Sequence, residues 1–318
     1  MSQPSPSPVP PPTEKTFTSY NQDQGKAYAQ IRRDYHPKVY RAIIDHHTLT
    51  GGQLDTLVDV GCGPGMAALA LAPHFAHAIG LDPSEGMLAT ARSLSGTTVT
   101  STSAPVRFEL SSAESLGQNL NPPIPDSSVD LITAANAAHW FDISLFWRAA
   151  ARVLKPGGSV ALWTSGHIRA HPSMPNAAAI QAALDQCEER YLKPFYEPGN
   201  LLTRSRYADL ALPWTLEEPV PEFDEGAFFR KDWDVGEDFY VGSMEGGLDV
   251  FEKAMATGSA YTRWSQAHPE DVGTERDVLN MVRREIERLL HEVGVEKGKE
   301  TMKGAVQGTL LVAKKKKV

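Results

Sequence analysis

Residues 57–65 read Leu57-Val58-Asp59-Val60-Gly61-Cys62-Gly63-Pro64-Gly65. An apolar run here ends in an acid and three alternate glycines, which predicts a buried strand followed by a tight turn. A helix-forming segment follows, and a second apolar run ends at Gly80-Leu81-Asp82. A strand, a glycine turn, a helix and a second strand together predict a nucleoside site at the edge of a sheet.

The ligand class follows from the glycine spacing and from Asp82. A dinucleotide fold uses Gly-x-Gly-x-x-Gly, but Met66 occupies the third glycine position of that pattern here. The observed Gly-x-Gly-x-Gly therefore argues against a hydride-transferring dehydrogenase. Asp82 stands at the position that grips a ribose diol, although it also suits the N-cap of the helix beginning at Pro83.

The composition is that of an ordinary globular protein with a sizeable core. The chain has 318 residues, of which 41% are hydrophobic and 22% charged, and its net charge is −8. The negative charge argues against a nucleic-acid partner, and the lack of a long apolar run argues against a membrane span. Cys62 and Cys187 have no paired spacing and the histidines no metal-ligand spacing, so we expect a cytoplasmic protein without disulfide or metal.

Strand and helix patterns alternate through the middle of the chain. We predict strands at 56–60, 77–82, 106–110, 129–134, 159–164 and 309–313, with a further strand at either 220–223 or 228–233. Predicted helices occupy 66–76, 83–94, 142–154, 174–192 and 272–293, and Pro37 divides a helical segment at 22–47. This alternation predicts an α/β fold with a doubly wound parallel sheet.

Composition also divides the chain into parts. The predicted parts are a disordered Pro/Ser tail at 1–16, an N-terminal helical lid at 17–53, an α/β core at 54–235, a helical cap insertion at 236–303, and a last core strand with a Lys-rich tail at 304–318. We expect the lysines at 314–317 to be solvated, with a nuclear signal as the alternative.

Further motifs flank the later predicted strands, namely Ser112-Ala113-Glu114, Ala138-His139-Trp140-Phe141-Asp142 and Arg152-Val153-Leu154-Lys155-Pro156-Gly157-Gly158. With the glycine turn, they resemble class I S-adenosylmethionine-dependent methyltransferases, and in particular the fungal trans-aconitate methyltransferase-like branch of small-molecule methyltransferases. The resemblance extends over 17–315, through 24–29, 196–199 and 259–264. Asn200 departs from that branch, which often carries an arginine there.

The resemblance implies a seven-stranded, mostly parallel, Rossmann-like sheet with an N-terminal lid and a helical insertion near the C-terminus. It also implies S-adenosylmethionine as the cofactor, with Asp59 near its ammonium group and Asp82 on its ribose. The alternative for Asp59 is an acid that satisfies loop amides, and the alternative for Asn136 is a turn-forming residue. The residues predicted to bind the cofactor are Tyr20, Tyr28, Arg32, Asp59, Gly61, Gly63, Gly65, Asp82, Ser112, Ala113, Glu114 and Asn136.

His139 and Trp140 are the predicted catalytic residues. His139 can orient an acceptor oxygen or take a proton, or it can cap the loop without touching the substrate. The resemblance puts Trp140 in the pocket, although a large aromatic ring also suits a core position. Tyr261 and Trp264 fall in the implied substrate cap, and burial of a helix face against the core explains them equally well.

The resemblance implies methyl transfer to a small, acidic metabolite at a carboxylate oxygen, which gives a methyl ester. The alternatives are methylation at a hydroxyl or carbon of a secondary metabolite, and a cofactor-binding regulatory protein without turnover. A carboxylate is already anionic at neutral pH and needs no base, whereas a hydroxyl or carbon acceptor needs one. The expected partner is therefore a small-molecule substrate.

Overall fold

In the computed structural model, the described residues are 20–94, 96–98, 104–242 and 244–317, so the predicted tail at 1–16 lies outside them. The helices are α1 (Gln22–Ile31), α2 (Pro37–Leu49), α3 (Met66–Leu71), α4 (Glu85–Leu94), α5 (Ile143–Val153), α6 (Ala177–Cys187), α7 (Pro198–Arg204), α8 (Leu248–Ala256), α9 (Ser259–Ala267) and α10 (Val278–Glu292). The strands are β1 (Thr56–Val60), β2 (His77–Asp82), β3 (Arg107–Leu110), β4 (Val129–Ala135), β5 (Leu154–Thr164), β6 (Arg169–Ala170), β7 (Phe223–Trp233), β8 (Glu245–Gly247), β9 (Thr301–Ala305) and β10 (Gly308–Lys315).

Among the described residues, seven strands form one sheet in the order β3-β2-β1-β4-β5-β10-β7. Neighbouring strands from β3 to β5 run parallel, and β10 is antiparallel to both β5 and β7. The order reverses at β1, with β2 on one side and β4 on the other. This arrangement confirms the predicted fold class and opens a crevice at the carboxyl ends of the central strands.

Both faces of the sheet are covered by helices. Val58 and Val60 of β1 pack in a core cluster that contains Phe146 and Trp147 of α5. Leu57, one residue away, packs in the opposite cluster with α2, α3 and α4. The alternation of side chains along an extended strand explains this division. None of the described helices is long and apolar enough to cross a bilayer.

The N-terminal segment folds as two helices, as the proline predicted. Pro37 is the first residue of α2, where its missing N–H costs nothing, and His36 caps that helix. The first helix, α1, lies against α4 at a point where both helices carry glycine. A Cβ added at Gly25 would lie 2.9 Å from the carbonyl oxygen of Gly86, so the glycines permit this close approach.

A second, smaller unit covers one end of the sheet. It contains the three-stranded sheet β6-β9-β8. Ile180 and Leu184 of α6 pack with Leu248 of α8 and with Ile286 of α10. The sequence pattern assigned the segment after β5 to the core, but its helix α6 packs in this smaller unit, which we call the cap. The apolar residues of α6 contact α10, about a hundred positions away in the sequence.

Some boundaries differ from the predicted ones. Of the two alternatives for the sixth core strand, 228–233 lies within β7, whereas 220–223 meets that strand only at Phe223. The helix predicted to reach 76 ends at Leu71, because Pro73 directs the chain into a 3-10 turn. The expectation of solvated lysines is wrong for Lys314, whose side chain is buried and donates to Gly157 O (2.6 Å) and Ser159 Oγ (3.0 Å).

Candidate active site

A cavity of about 480 Å³ lies at the carboxyl ends of β1 and β4. Its walls come from the core, the N-terminal helices and the cap. The structure brings most of the predicted site residues to these walls: Tyr28, Arg32, Gly61, Gly63, Asp82, Ser112, Ala113, Glu114, Asn136, His139 and Trp140. Residues distant in sequence therefore line one cavity.

The glycine turn forms the floor. Gly61 and Gly63 have φ values of 62° and 53°, in the left-handed region that glycine adopts without strain. A Cβ at Gly61 would lie 2.7 Å from the Cβ of Ala137, so the turn packs tightly against the loop after β4. A Cβ at Gly63 would meet no atom within 4 Å. The backbone at Gly63 therefore leaves room for a ligand to approach closely.

Asp82 borders this open backbone. Its Oδ2 accepts the N–H of Gly63 at 2.8 Å and its Oδ1 accepts the N–H of Ser84 at 2.8 Å. The carboxylate thus joins the glycine turn to the segment that begins α4, and its contact with a ribose stays a prediction. Burial raises the pKa of Asp82 to about 6 despite these two hydrogen bonds, so a further donor from a ligand would stabilise the charged form.

Asp59 lies behind the cavity and is not one of its wall residues. It is 1% exposed, and its Oδ1 accepts the hydroxyl of Thr133 at 2.6 Å. A second hydrogen bond comes from the backbone of Ala68 in α3, and burial raises the pKa of Asp59 to about 7. Its contacts match the alternative of an acid that satisfies protein donors, and contact with the cofactor ammonium stays a prediction.

The loop after β3 supplies another wall. Glu114 Oε1 accepts the N–H of Asp142 at 2.9 Å, where Asp142 is the N-cap of α5. The hydroxyl of Ser112 accepts the N–H of Ser115 at 3.2 Å. These bonds order the loop beside the glycine turn, with Ala113 facing the same space. Contact of this triplet with adenine stays a prediction.

His139 and Trp140 form a short turn after β4, with ring centroids 4.7 Å apart. His139 Nδ1 lies 2.9 Å from the hydroxyl of Tyr207, a residue held at a φ of 58°. Left-handed backbone is uncommon for a bulky residue, and such strain occurs at functional sites. Burial, with the charge of Arg32 nearby, lowers the pKa of His139 to about 3, which makes the imidazole a weak base.

Arg32 is a partly buried cation of the cavity wall. Its guanidinium lies over the ring of Tyr28, 4.9 Å from the centroid, and its Nη2 lies 3.5 Å from Thr257 O in the cap. Its Nε is buried without a hydrogen-bond partner, and within the described part of the chain no carboxylate forms an ion pair with it. A buried charge without a counter-ion is costly, so this position favours an anionic ligand.

Besides Asp59, four predicted residues lie away from the walls. Tyr20 packs edge-on against Tyr28, and Gly65 is the N-cap of α3. Tyr261 donates its hydroxyl to Asp277 (3.0 Å), and the Trp264 ring stacks on Tyr261. Substrate contact by this last pair stays a prediction that the packing does not support, because both rings are used within the cap.

The cap instead contributes residues near the start of the same helix and from α7. Ser259 and Asn200 line the cavity, and Asn200 Nδ2 donates to Ser259 Oγ at 3.0 Å. Arg263 Nη2 donates to Asn200 Oδ1 at 2.7 Å from behind the wall. The motif at 196–199 has glycine at Gly199 because a Cβ there would lie only 2.5 Å from the carbonyl oxygen of His139. The resemblance at 196–199 and 259–264 was the available signal for this contact.

Sequence reasoning missed other wall residues. Tyr35, Tyr240, Thr164 and Ser165 line the cavity opposite the glycine turn. No motif marks Tyr240, which reaches the site only because its segment pairs with Tyr35 across more than 200 positions. Among the described residues no three His, Cys, Asp or Glu side chains converge as a metal site.

The wall chemistry fits a nucleoside with a charged amino-acid tail. The open backbone at Gly63 provides space, and the Asp82 carboxylate can accept from a sugar hydroxyl. The unpartnered Nε of Arg32 suits a carboxylate. Met87 and Phe141 add apolar surface for a base or a methyl group.

A family model described as a methyltransferase domain matches residues 58–162, the segment that carries the glycine turn, Asp82 and the His139-Trp140 turn. This region is a methyltransferase domain. Its sheet has the strand order of class I methyltransferases, and the cofactor that this domain family implies is S-adenosylmethionine. The assignment of individual wall residues to that cofactor stays a prediction.

Known proteins extend this comparison. The chain is 34% identical over 160 residues to a putative methyltransferase of Dictyostelium discoideum, covering 50% of this chain and 53% of that protein. It is 31% identical over 157 residues to the malonyl-[acyl-carrier protein] O-methyltransferase of Dechloromonas aromatica, covering 49% and 51%. The chain thus spans about half the length of the curated relatives it matches.

A solved structure agrees with the fold over most of the chain. It is a putative type II methyltransferase from Anaeromyxobacter dehalogenans, 22% identical, which covers 90% of this chain and 97% of its own. The TM-score is 0.55. At this level of identity the similarity concerns the arrangement of the sheet and its helices, not the acceptor.

Proposed function

We propose that the chain transfers a methyl group from S-adenosylmethionine to a carboxylate oxygen of a small carboxylic acid, as in the trans-aconitate methyltransferase-like branch. The observation that carries this proposal is Arg32, a guanidinium in the cavity wall whose buried Nε has no partner. Charge-assisted hydrogen bonds from arginine to a carboxylate are among the stronger polar contacts in proteins. A carboxylic acid would bring the missing counter-charge.

The state of His139 supports the same acceptor class. A hydroxyl acceptor must lose a proton during methyl transfer, and an effective base has a pKa near the working pH. His139, with a pKa of about 3, is far from that range, and its Nδ1 already contacts Tyr207. A carboxylate needs no deprotonation, so the imidazole need only orient it.

The remaining wall residues bind and orient. S-adenosylmethionine supplies a methyl group already activated on a sulfonium, so the protein's task is positioning and exclusion of water. Asp82 would accept a ribose hydroxyl, and the Gly63 backbone would border the cofactor. Trp140, next to His139, would add apolar surface at the acceptor side. Transfer breaks the sulfur–methyl bond and forms an oxygen–methyl bond, with the sulfur keeping the electron pair.

Similar proteins support the acceptor class by name alone. One relative is named for O-methylation of a malonyl group, which is itself a carboxylic acid. Asn200, neutral where the trans-aconitate-like branch often has an arginine, leaves Arg32 as the cation proposed to meet the acid. The acceptor would then carry fewer carboxylates than trans-aconitate or hold them differently.

The test uses methyl-labelled S-adenosylmethionine and a panel of mono-, di- and tricarboxylic acids. A methyl ester releases labelled methanol in alkali, whereas a methyl ether or a carbon-bound methyl group does not. We expect Arg32→Gln to lower kcat/KM for the acid about tenfold to a hundredfold, the range for loss of a charged hydrogen bond. Arg41→Gln, on the exposed side of α2, is the matched control and should leave turnover unchanged.

The outcomes separate the alternatives. If Arg32→Gln weakens binding of S-adenosylhomocysteine and leaves the KM of the acid unchanged, Arg32 holds the cofactor carboxylate, as the sequence predicted. Alkali-stable product that is lost in His139→Ala would favour a hydroxyl or carbon acceptor. Tight cofactor binding without turnover of any acceptor would favour a regulatory protein. No binding of either cofactor form at millimolar concentration would refute the proposed activity.

A further inference from the structure

Asn136, at the end of β4, uses its whole side chain within the protein. Its Oδ1 accepts the hydroxyl of Thr164 at 2.8 Å and the N–H of Ser165 at 2.9 Å. Its Nδ2 donates to the hydroxyls of Tyr35 at 2.8 Å and Tyr240 at 3.3 Å. A primary amide has two donor hydrogens and two acceptor lone pairs, so these four bonds use its full capacity. Nothing is left over for a ligand.

The amide orientation is set by the backbone. The N–H of Ser165 can only donate, so the oxygen of the amide must face it. The nitrogen therefore faces the two tyrosine hydroxyls. Asn136 itself has a φ of 50°, a conformation that asparagine tolerates better than most residues. The strand end thus presents two aimed donors toward the lid.

The two tyrosines join segments that are otherwise far apart. Tyr35 follows α1 and lies three residues after Arg32, and Tyr240 belongs to the segment between β7 and β8. Their rings stack with centroids 5.2 Å apart. Backbone bonds flank them, from His36 N to Phe239 O at 2.9 Å and from Val241 N to Asp34 O at 3.0 Å. We call this paired junction, residues 34–36 with 239–241, the lid seam.

We propose that Asn136 is a positioning residue that holds the lid seam, and with it Arg32, over the methyl-transfer cavity. It would act through Tyr35 and Tyr240 and not by contact with the cofactor. This inference rests on the proposed function only for the identity of the ligand in the cavity. The hydrogen bonds of the lid seam do not depend on that function. Asn136, Tyr35 and Tyr240 all line the cavity, so a shift of the lid seam would directly change the shape of the cavity wall.

The test removes single hydroxyls and keeps the rings. Tyr35→Phe and Tyr240→Phe each take one partner from Asn136. We expect each to speed dissociation of S-adenosylhomocysteine about threefold to tenfold in stopped-flow measurements, the effect of one lost hydrogen bond. Tyr196→Phe is the matched control: it also loses one hydroxyl bond, the one that accepts from Arg204 Nε at 2.9 Å, and that bond involves neither Asn136 nor a residue of the lid seam.

A second readout follows the seam itself. The amide protons of His36 and Val241 are hydrogen-bonded across it, so their exchange with deuterium reports its opening. Exchange at these two positions should quicken in Tyr35→Phe and Tyr240→Phe and not in Tyr196→Phe. Asn136→Asp keeps acceptors for all four partners, because both tyrosine hydroxyls can donate to a carboxylate. It should therefore stay closer to the unaltered protein than Asn136→Ala does.

The results have distinct meanings. Equal dissociation rates and equal amide exchange in the three tyrosine variants would overturn the positioning role. Equal losses in melting temperature with no change in either readout would also overturn it, because that pattern is a purely structural effect. If the unaltered protein binds no cofactor, the proposed function fails, while amide exchange at His36 and Val241 still decides whether Asn136 holds the seam.

Discussion

Gly86 offers a way to displace the lid without damaging the core. It lies in the first half of α4, against the start of the N-terminal helix. Glycine inside a helix costs about 1 kcal/mol relative to alanine, so Gly86→Ala should strengthen α4. A Cβ there would lie 2.1 Å from the carbonyl oxygen of Tyr20 and 2.6 Å from the carbonyl carbon of Asn21. These are backbone atoms, which cannot turn aside as a side-chain end does.

The size of the effect follows from that overlap. Favourable contacts between heavy atoms begin at about 3.5 Å, so the backbone at Tyr20 and Asn21 must retreat by more than an ångström. Tyr28 and Arg32, on the same helix or just after it, line the cavity and would move with it. A misplacement of about 1 Å can lower activity about a hundredfold. We therefore expect a melting temperature equal to or above that of the unaltered protein, with S-adenosylhomocysteine bound at least about tenfold more weakly.

The assay pairs thermal unfolding with isothermal titration calorimetry. Ser93→Ala is the control, because Ser93 is exposed on the same helix and its replacement also raises helix propensity. It should stabilise the protein slightly and bind S-adenosylhomocysteine normally. Unchanged affinity and unchanged turnover in Gly86→Ala would refute the reasoning, since the lid would then contribute nothing to the cavity. A large fall in melting temperature would show instead that α1 is needed for folding.

Two other predictions concern the floor and the cap. Burial raises the pKa of Asp82 to about 6, so the group is mostly protonated below that pH and accepts a ribose hydroxyl more weakly than the carboxylate does. S-adenosylhomocysteine should bind about tenfold more weakly at pH 5 than at pH 8 by calorimetry, and Asp82→Asn should bind weakly with most of this dependence gone. In the cap, Ser259 lines the cavity and Tyr261 does not. Ser259→Ala should raise the KM of the acceptor a few-fold. Tyr261→Phe loses its bond to Asp277, so it should lower the free energy of unfolding by about 1 kcal/mol and leave the KM of the acceptor unchanged. The reverse pattern would show that Tyr261 contacts the substrate.

Local sequence patterns predicted much of the fold. The predicted strands at 56–60 and 77–82 coincide with β1 and β2, and Pro37 divides the N-terminal helices as expected. The glycine turn and Asp82 also meet at one wall, as their spacing indicated. These features depend on neighbours within a few residues, on the period of the apolar positions and on the backbone freedom of glycine.

Other features depend on residues that meet only after folding. Asn136 bonds to Tyr35 and Tyr240, which lie 101 and 104 positions away, so both donor hydrogens of its side chain are used within the protein. Asp59 is covered by Thr133, 74 positions away, and α6 joins the cap through α10. A side chain's partners are set by the packing of distant segments, and neither periodicity nor motif spacing records that packing. Local chemistry therefore identified the glycine turn that lines the cavity, while long-range packing determined which neighbouring side chains also face it.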